Sequence, residues 1–274
     1  YEQAKSMGAI HAHIAKTLGH GYMDLKNALA QSCNVYYWTL GRDYFGIDLI
    51  ASYAQEFGLG RSLEIDLPSH SAGFIPTAQW KERRYHEKWL GGDTLSASIG
   101  QGYTTVTPLH MANAVAMVVN EGVIYRPHVL KEVRDPVNGE VISSVEPEVL
   151  HESSIDKSVW RTVREAMRHT VTNGTVQFPL RNRTVRIAGK SGTGEVAQYK
   201  DRWHSWFVAY APYDGPVEDM VVTVVLVEAL NVWEWWAPYA TNIIMQGIFA
   251  DQDYDEAVDA LGFRHLARPV GRQE

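Results

Sequence analysis

The chain has 274 residues, 45% of them hydrophobic, with one cysteine and a net charge of −7 at pH 7, enough length for one large domain or two modest ones around a sizeable core. The acidic balance, with no stripe of Lys and Arg to offset it, argues against a nucleic-acid partner, and the lone Cys33 excludes an internal disulfide. No run approaches the roughly 18 apolar residues that span a bilayer, and no signal peptide is recognisable.

The elements follow in chain order. The first twenty residues are helix-compatible and stop at the turn Gly19-His20-Gly21. Asp24 to Ala30 predicts a short helix; Ser32-Cys33-Asn34 interrupts; a second helix runs from Val35 to about Tyr44. Gly46 breaks it, and Ile47 to Phe57 forms a third, closed by Gly58 and Gly60. Residues 61–106 read as loop-rich, with Leu67-Pro68, Ile75-Pro76 and glycines at 91, 92, 100 and 102. Thr107-Pro108 starts a helix through about Asn120, with proline in the first turn where its missing N–H costs nothing. Arg126 to Val133 and Glu140 to Ser144, joined by Asp135-Pro136-Val137-Asn138-Gly139, read as a β-hairpin.

Ile155 to about Val171 is amphipathic, with Val159, Val163, Met167 and Val171 at spacing four. Three strand-like runs follow: Val185 to Ala188 leading into Lys190, Trp206 to Tyr210, and Val221 to Val227. A helix from about Thr241 to Ala250 closes the series, and the residues from 251 onward are charged and mixed. Helices first, then sequentially adjacent strands and a closing helix, predict an α/β chain of the α+β type. Its antiparallel sheet is flanked by helices, and no βαβ alternation supports a doubly wound fold.

Chemistry concentrates in Lys190-Ser191-Gly192-Thr193-Gly194, followed by Glu195. A strand carrying a cation, two hydroxyls and two glycines can pair with an extended peptide through its backbone. The lysine and hydroxyls can hold a carboxylate, and glycine removes side chains that would keep a ligand off the backbone. Ser32-Cys33-Asn34, between two helices, admits two readings: helix capping, or a hydroxyl and an amide turned into a cleft. With Lys190-Ser191-Gly192 in the same chain the second reading is the stronger. Ser-x-Asn followed much later by Lys-Ser/Thr-Gly forms the second and third elements of the serine acyl-transferase set that opens with Ser-x-x-Lys.

On these residues the chain resembles the penicillin-binding proteins, specifically the transpeptidase domain of the class B, elongation-type branch (penicillin-binding protein 2-like). Gly19-His20-Gly21 with Leu25 and Ala28-Leu29, Trp89-Leu90-Gly91-Gly92-Asp93-Thr94, Ile99-Gly100-Gln101-Gly102, Thr107-Pro108-Leu109 and Val171 to Gly174-Thr175 extend the resemblance. It implies a β-lactamase/transpeptidase-like fold, incomplete at its N-terminal side, with residues 1–250 as the C-terminal portion of the domain and 251–274 as a tail. It further implies that Ser32 relays a proton, that Asn34 binds a substrate carbonyl, and that Lys190 supplies positive potential. Ser191 and Thr193 would bind the carboxylate, Gly192 would let the substrate backbone lie against the strand, and the Thr193 N–H would serve an oxyanion hole. Gly194 belongs to the same strand.

The nucleophile motif should come first, yet the sole Ser-x-x-Lys is Ser154-Ile155-Asp156-Lys157, where Ser154 reads as a helix N-cap. The expectation is that the nucleophilic serine and its lysine lie upstream of Tyr1. Without that part the sheet should show an exposed edge.

Trp233-Glu234-Trp235-Trp236 admits two readings: core packing, which would account for one or two of the rings, or an aromatic wall beside the cleft in the resembled fold, where Trp235 would contact substrate. Trp203 begins a strand and reads as sheet packing or as a residue near the cleft mouth. Cys33 reads as structural, and Glu195 and Lys200 as solvated. Eleven histidines include no His-x-x-x-His pair, so no metal site is expected. The resemblance implies no metal or organic cofactor.

The implied function is a peptidoglycan D,D-transpeptidase acting on D-Ala-D-Ala stem peptides and trapped by β-lactams. Alternatives are a D,D-carboxypeptidase, a β-lactamase, or a catalytically inactive peptide-binding module. The implied setting is the periplasmic side of the inner membrane, reached through an N-terminal anchor absent from these residues. The implied partner is the glycan-polymerising component of the elongation machinery.

Overall fold

The computed structural model describes residues 19–196, 202–230 and 236–266. The expected helix before Gly19 and the Trp233 to Trp235 patch lie outside them. Asp24 accepts a hydrogen bond from the Asn27 N–H at 2.7 Å and starts α1 (Leu25–Ala30). A turn at Ser32 leads into α2 (Asn34–Leu40). Gly41–Phe45 is a π-helical turn, and Gly46, at φ +67°, redirects the chain into α3 (Gly46–Glu56).

The loop expectation for 61–106 is corrected, because two helices interrupt it. In α4 (Ala78–Tyr85) the Thr77 hydroxyl accepts from the Trp80 N–H at 3.1 Å. In α5 (Gly91–Ala97) the Asp93 carboxylate accepts from the Leu90 N–H at 2.8 Å. Gly91 and Gly92 read as breakers, yet the Asp93 cap and its buried lysine partner outweigh their low propensity. Thr107 caps α6 (Pro108–Val119), as its Thr-Pro start predicts.

The expected hairpin is present but short: β2 (Glu132–Arg134) pairs with β3 (Val141–Ser144). The Val129 and Leu130 N–H groups go instead to the Asp66 carboxylate, at 2.8 and 3.0 Å, which ends the strand early and holds that carboxyl below its usual range. A second pair, β1 (Val123–Tyr125) with β4 (Val149–Glu152), was not legible as a pattern. In α7 (Lys157–Asn173) the cap is Asp156, which accepts from the Ser158 N–H, and not Ser154. A spacing of four drifts against the 3.6-residue turn, so Val159 is 46% exposed and Trp160 takes the buried position.

The sheet has the order β5 (Ala188–Glu195), β6 (Trp203–Ala211), β7 (Val221–Leu230), all antiparallel. Val185 and Ile187 are buried, but the strand begins after them, at Ala188. Alternate residues of β6 feed two cores. Val208 and Tyr210 pack with Val115, Met117, Trp160 and Met167 of α6 and α7. Phe207, Ala209 and Ala211 pack with Val176, Leu180 and Ile187, and with Ala237 and Met245 of α8 (Trp236–Ala250). That helix starts five residues before the expected Thr241, with Pro238 in its first turn, where a missing N–H is tolerated.

Residues 254–261, within the stretch read as a charged and mixed tail, form α9 (Tyr254–Leu261) on α8, burying Ala257 and Val258. The helices thus cover both faces of an antiparallel sheet. Among the described residues β5 and β7 each pair on one side only.

Candidate active site

Ser32 occupies the turn between α1 and α2 with φ +50°, the left-handed region that a non-glycine residue seldom adopts. Its hydroxyl does not cap α2. The capping position is Cys33, which makes no side-chain bond to the helix and is itself buried. The Ser32 Oγ instead accepts a hydrogen bond of 2.5 Å from Lys190 Nζ, 158 residues along the chain. The same ammonium donates to the Ser191 carbonyl at 2.6 Å, with Ser191 Oγ at 3.5 Å. Burial lowers the Lys190 pKa to about 8, and no carboxylate is paired with it among the described residues. At neutral pH this is a desolvated cation facing a cleft, held by neutral oxygens alone. Such a group favours an anion that brings its own charge into the site.

The cleft measures about 320 Å³, and its lining includes Ser32, Asn34, Lys190, Ser191, Gly192, Thr193 and Trp203. Seven of the nine predicted site residues therefore meet at one cavity. Gly194 lies on the same strand but not in the lining, and Trp235 lies outside the described residues. Gly192 also serves packing, because a Cβ there would approach the Trp206 Cβ to 3.3 Å. Glu195, expected to be solvated, is exposed at the rim of the same cavity. Ser154 and Lys157 are not in the lining: Ser154 is exposed, and Lys157 faces Glu121 at 3.9 Å.

Sequence reasoning assigned no role to several wall residues, among them Tyr37, Ser98, Gln101 and Thr175. The Tyr37 hydroxyl and Thr175 Oγ1 are buried with no hydrogen-bond partner among the described residues. Burial pushes the Tyr37 phenol up, which keeps it protonated and able to donate. Gly100-Gln101-Gly102 was noticed only as part of a resemblance. The Gln101 Nε2 donates to the Thr193 carbonyl at 2.7 Å and so joins the far wall to β5.

That far wall is anchored from behind. Lys81, 4% exposed, pairs with Asp93 at 2.6 Å, and the Trp89 Nε1 donates to Thr94 at 2.8 Å. The π-helical turn presses on it too: a Cβ at Gly41 would lie 1.8 Å from Ser98 Oγ and 2.9 Å from its Cβ. Rotation of the hydroxyl relieves only the first contact. Gly41→Ala is therefore expected to destabilise the protein by about 1–3 kcal/mol, read as a lower urea midpoint with an unchanged slope. An unchanged midpoint would show that the two helices can separate freely.

Residues 2–241 match the family described as Penicillin binding protein transpeptidase domain. The peptidoglycan D,D-transpeptidase MrdA of Haemophilus influenzae is 36% identical over 246 residues, 84% of this chain and 37% of that protein. A solved structure reported as structural coordination of polymerization and crosslinking by a peptidoglycan synthase complex superposes with TM-score 0.72 at 29% identity, covering 84% of this chain and 38% of that one. Penicillin-binding protein PBP2 of Helicobacter pylori, solved in complex with MreC, superposes with TM-score 0.63 at 29% identity, covering 76% and 37%. The chain thus spans little more than a third of the length of each of these relatives.

Proposed function

Because the chain belongs to the penicillin-binding protein transpeptidase family, we propose that its cleft is the proton-relay and carboxylate-binding part of a peptidoglycan D,D-transpeptidase site. The observation that carries this reading is the contact between Ser32 and Lys190 on a strand that, among the described residues, has a strand neighbour on one side only. A serine hydroxyl supplied by sequence outside these residues attacks the carbonyl carbon of the penultimate D-alanine of a stem peptide. The peptide C–N bond breaks, the serine proton passes to the leaving nitrogen, and D-alanine departs. An amine of a second strand then attacks the ester, losing one proton as the serine regains its own.

Ser32, hydrogen-bonded to a lysine whose pKa is near 8, is placed to pass such protons. Lys190, Ser191 and Thr193 hold the terminal carboxylate, while Asn34 and the β5 backbone align the peptide. Residues 1–250 act as the C-terminal portion of the domain, followed by the 251–274 segment. Trp203 borders the peptide at the mouth of the cleft, and Trp235 is assigned to the same wall by resemblance alone.

The whole protein works with a glycan-polymerising partner of the elongation machinery, a reading supported by the similar structure reported as coordinating polymerization and crosslinking in a peptidoglycan synthase complex. It is tethered on the periplasmic side of the inner membrane by an N-terminal anchor. Among the described residues no helix is long and apolar enough to cross a membrane.

The test is labelling of the full-length protein with a fluorescent penicillin, read by intact mass and peptide mapping. One covalent adduct, on a serine outside these 274 residues, is the expected result. No adduct on a folded protein would favour an inactive peptide-binding module, and an adduct on Ser154 would overturn the assignment of the nucleophile.

The Lys190 charge gives a pH dependence with a defined sign. The cation is present below about pH 8 and is lost as pH rises through that value. Initial binding of a penicillin, whose carboxylate needs that charge, should therefore weaken on the alkaline side with an apparent pKa near 8. Stability moves the other way. Between about 8 and the ordinary lysine value of 10.5 the unfolded chain binds the extra proton, so stability rises with pH across that window. Deprotonation of Lys190 therefore does not itself favour unfolding across that window. A binding constant flat from pH 7 to about 9.5 would remove Lys190 from carboxylate recognition.

A further inference from the structure

The free edge of β5 is already occupied by a side chain. In an antiparallel ladder, alternate residues point both N–H and C=O toward the partner strand and the rest point both outward. On β5 the outward set includes residues 191, 193 and 195: the Ser191 carbonyl accepts from Lys190, the Thr193 carbonyl accepts from Gln101 Nε2 at 2.7 Å, and the Glu195 N–H reaches Gln101 Oε1 at 3.5 Å. The orientation of the carboxamide is dictated by its partners, since a carbonyl can only accept and an N–H can only donate.

One amide group that donates to residue 193 and accepts from residue 195 reproduces the bonds made by a single residue of a parallel strand. The Gln101 backbone takes no part in this pairing. Its N–H goes to the Ser96 carbonyl at 2.9 Å, and Gly100 and Gly102 flank it at φ +75° and +77°. The carboxamide can therefore leave β5 by rotation of its own torsions, with the backbone anchored.

We propose that the Gln101 carboxamide is a removable bar across the cleft, standing on the β5 edge where a bound peptide would pair. An extended peptide ending in a carboxylate displaces it and takes over the hydrogen bonds at Thr193 and Glu195. The bar keeps the edge strand from pairing with a wrong chain in the empty site, and it makes affinity depend on a peptide long enough to replace both contacts. This inference rests on the transpeptidase reading of the cleft.

The test uses the full-length protein with Gln101→Ala and Gln101→Asn, the second keeping an amide whose reach is one methylene too short. A synthetic pentapeptide ending in D-Ala-D-Ala should bind either variant about threefold to tenfold more tightly than wild type, the factor represented by one net hydrogen bond of ordinary strength. Amide hydrogen exchange at Glu195, whose N–H donates to the Gln101 carboxamide, should be faster in the free variants than in free wild type, and equal once peptide is bound. Unchanged exchange in both variants, or weaker peptide binding by both, would overturn the bar and leave Gln101 as a positioning residue. Gln101→Asn carries the test where Gln101→Ala fails to fold. Wild-type protein that takes up no penicillin would sink the transpeptidase reading instead, and the exchange comparison would still decide whether Gln101 closes the edge.

Discussion

Lys190→Ala in the full-length protein should lower the rate of acylation by penicillin by roughly 10³-fold, the middle of the range for an impaired proton transfer, because the Ser32 relay loses the cation hydrogen-bonded to it. The same change should leave the melting temperature unaltered or raise it. Lys190 is a desolvated ammonium with no carboxylate paired to it among the described residues, and its lowered pKa records what burial costs the charged form. Removing a half-buried charge that is held, among the described residues, by neutral oxygens relieves that cost. Its hydrogen bonds to Ser32 and to the Ser191 carbonyl are lost at the same time, at about 1 kcal/mol each. The two effects on stability oppose each other, whereas both effects on acylation point down. Acylation kinetics and a thermal melt on one preparation check this. A fall in activity that merely follows a fall in folded fraction would mean that Lys190 holds the fold together and does not serve the reaction.

The largest effect on stability is expected at Phe207. It is fully buried at the centre of β6, opposite Ser191 in the register, and its ring packs against the backbone of β5. The fit is close: a Cβ at Gly189 would lie 2.7 Å from two ring carbons of Phe207 and 2.5 Å from the Val208 carbonyl. Phe207→Ala should therefore cost about 3–5 kcal/mol, combining lost transfer energy with a cavity that the sheet cannot close. The loss appears as a lower urea midpoint with an unchanged slope. A cost below about 1 kcal/mol would mean that the sheet and α8 collapse onto the gap. Penicillin acylation measured where the variant is still folded should fall less than for Lys190→Ala, because Phe207 supports the strand and touches no reacting group.

Local signals were reliable where one residue type has one physical use. Thr107-Pro108 opened a helix because proline lacks an N–H that the first turn would leave unused. Val221 to Val227 became a strand because a β-branched run fits a pleated surface. The same reasoning failed where a distant partner decided the outcome. Gly91-Gly92 begins a helix because Asp93, held by the buried Lys81, caps it. The stretch before β2 left the hairpin because Asp66 takes its N–H groups. Val159 fell outside the buried face of α7 because a count of four departs from the true turn.

The order of residues is enough to put the chemistry on offer: Ser32 and Asn34 on one side, and Lys190, Ser191 and Thr193 on a strand with glycine at 192. Those residue types carry their hydroxyls, amide and charge wherever the chain places them. The tertiary structure alone decided that Ser32 and Lys190 touch across 158 residues of sequence, and that the lysine loses enough water for its pKa to fall to about 8. It alone decided that Gln101 stands on the outer edge of β5. Contact, desolvation and occlusion are properties of pairs of groups in space, and each depends on how far apart folding leaves them.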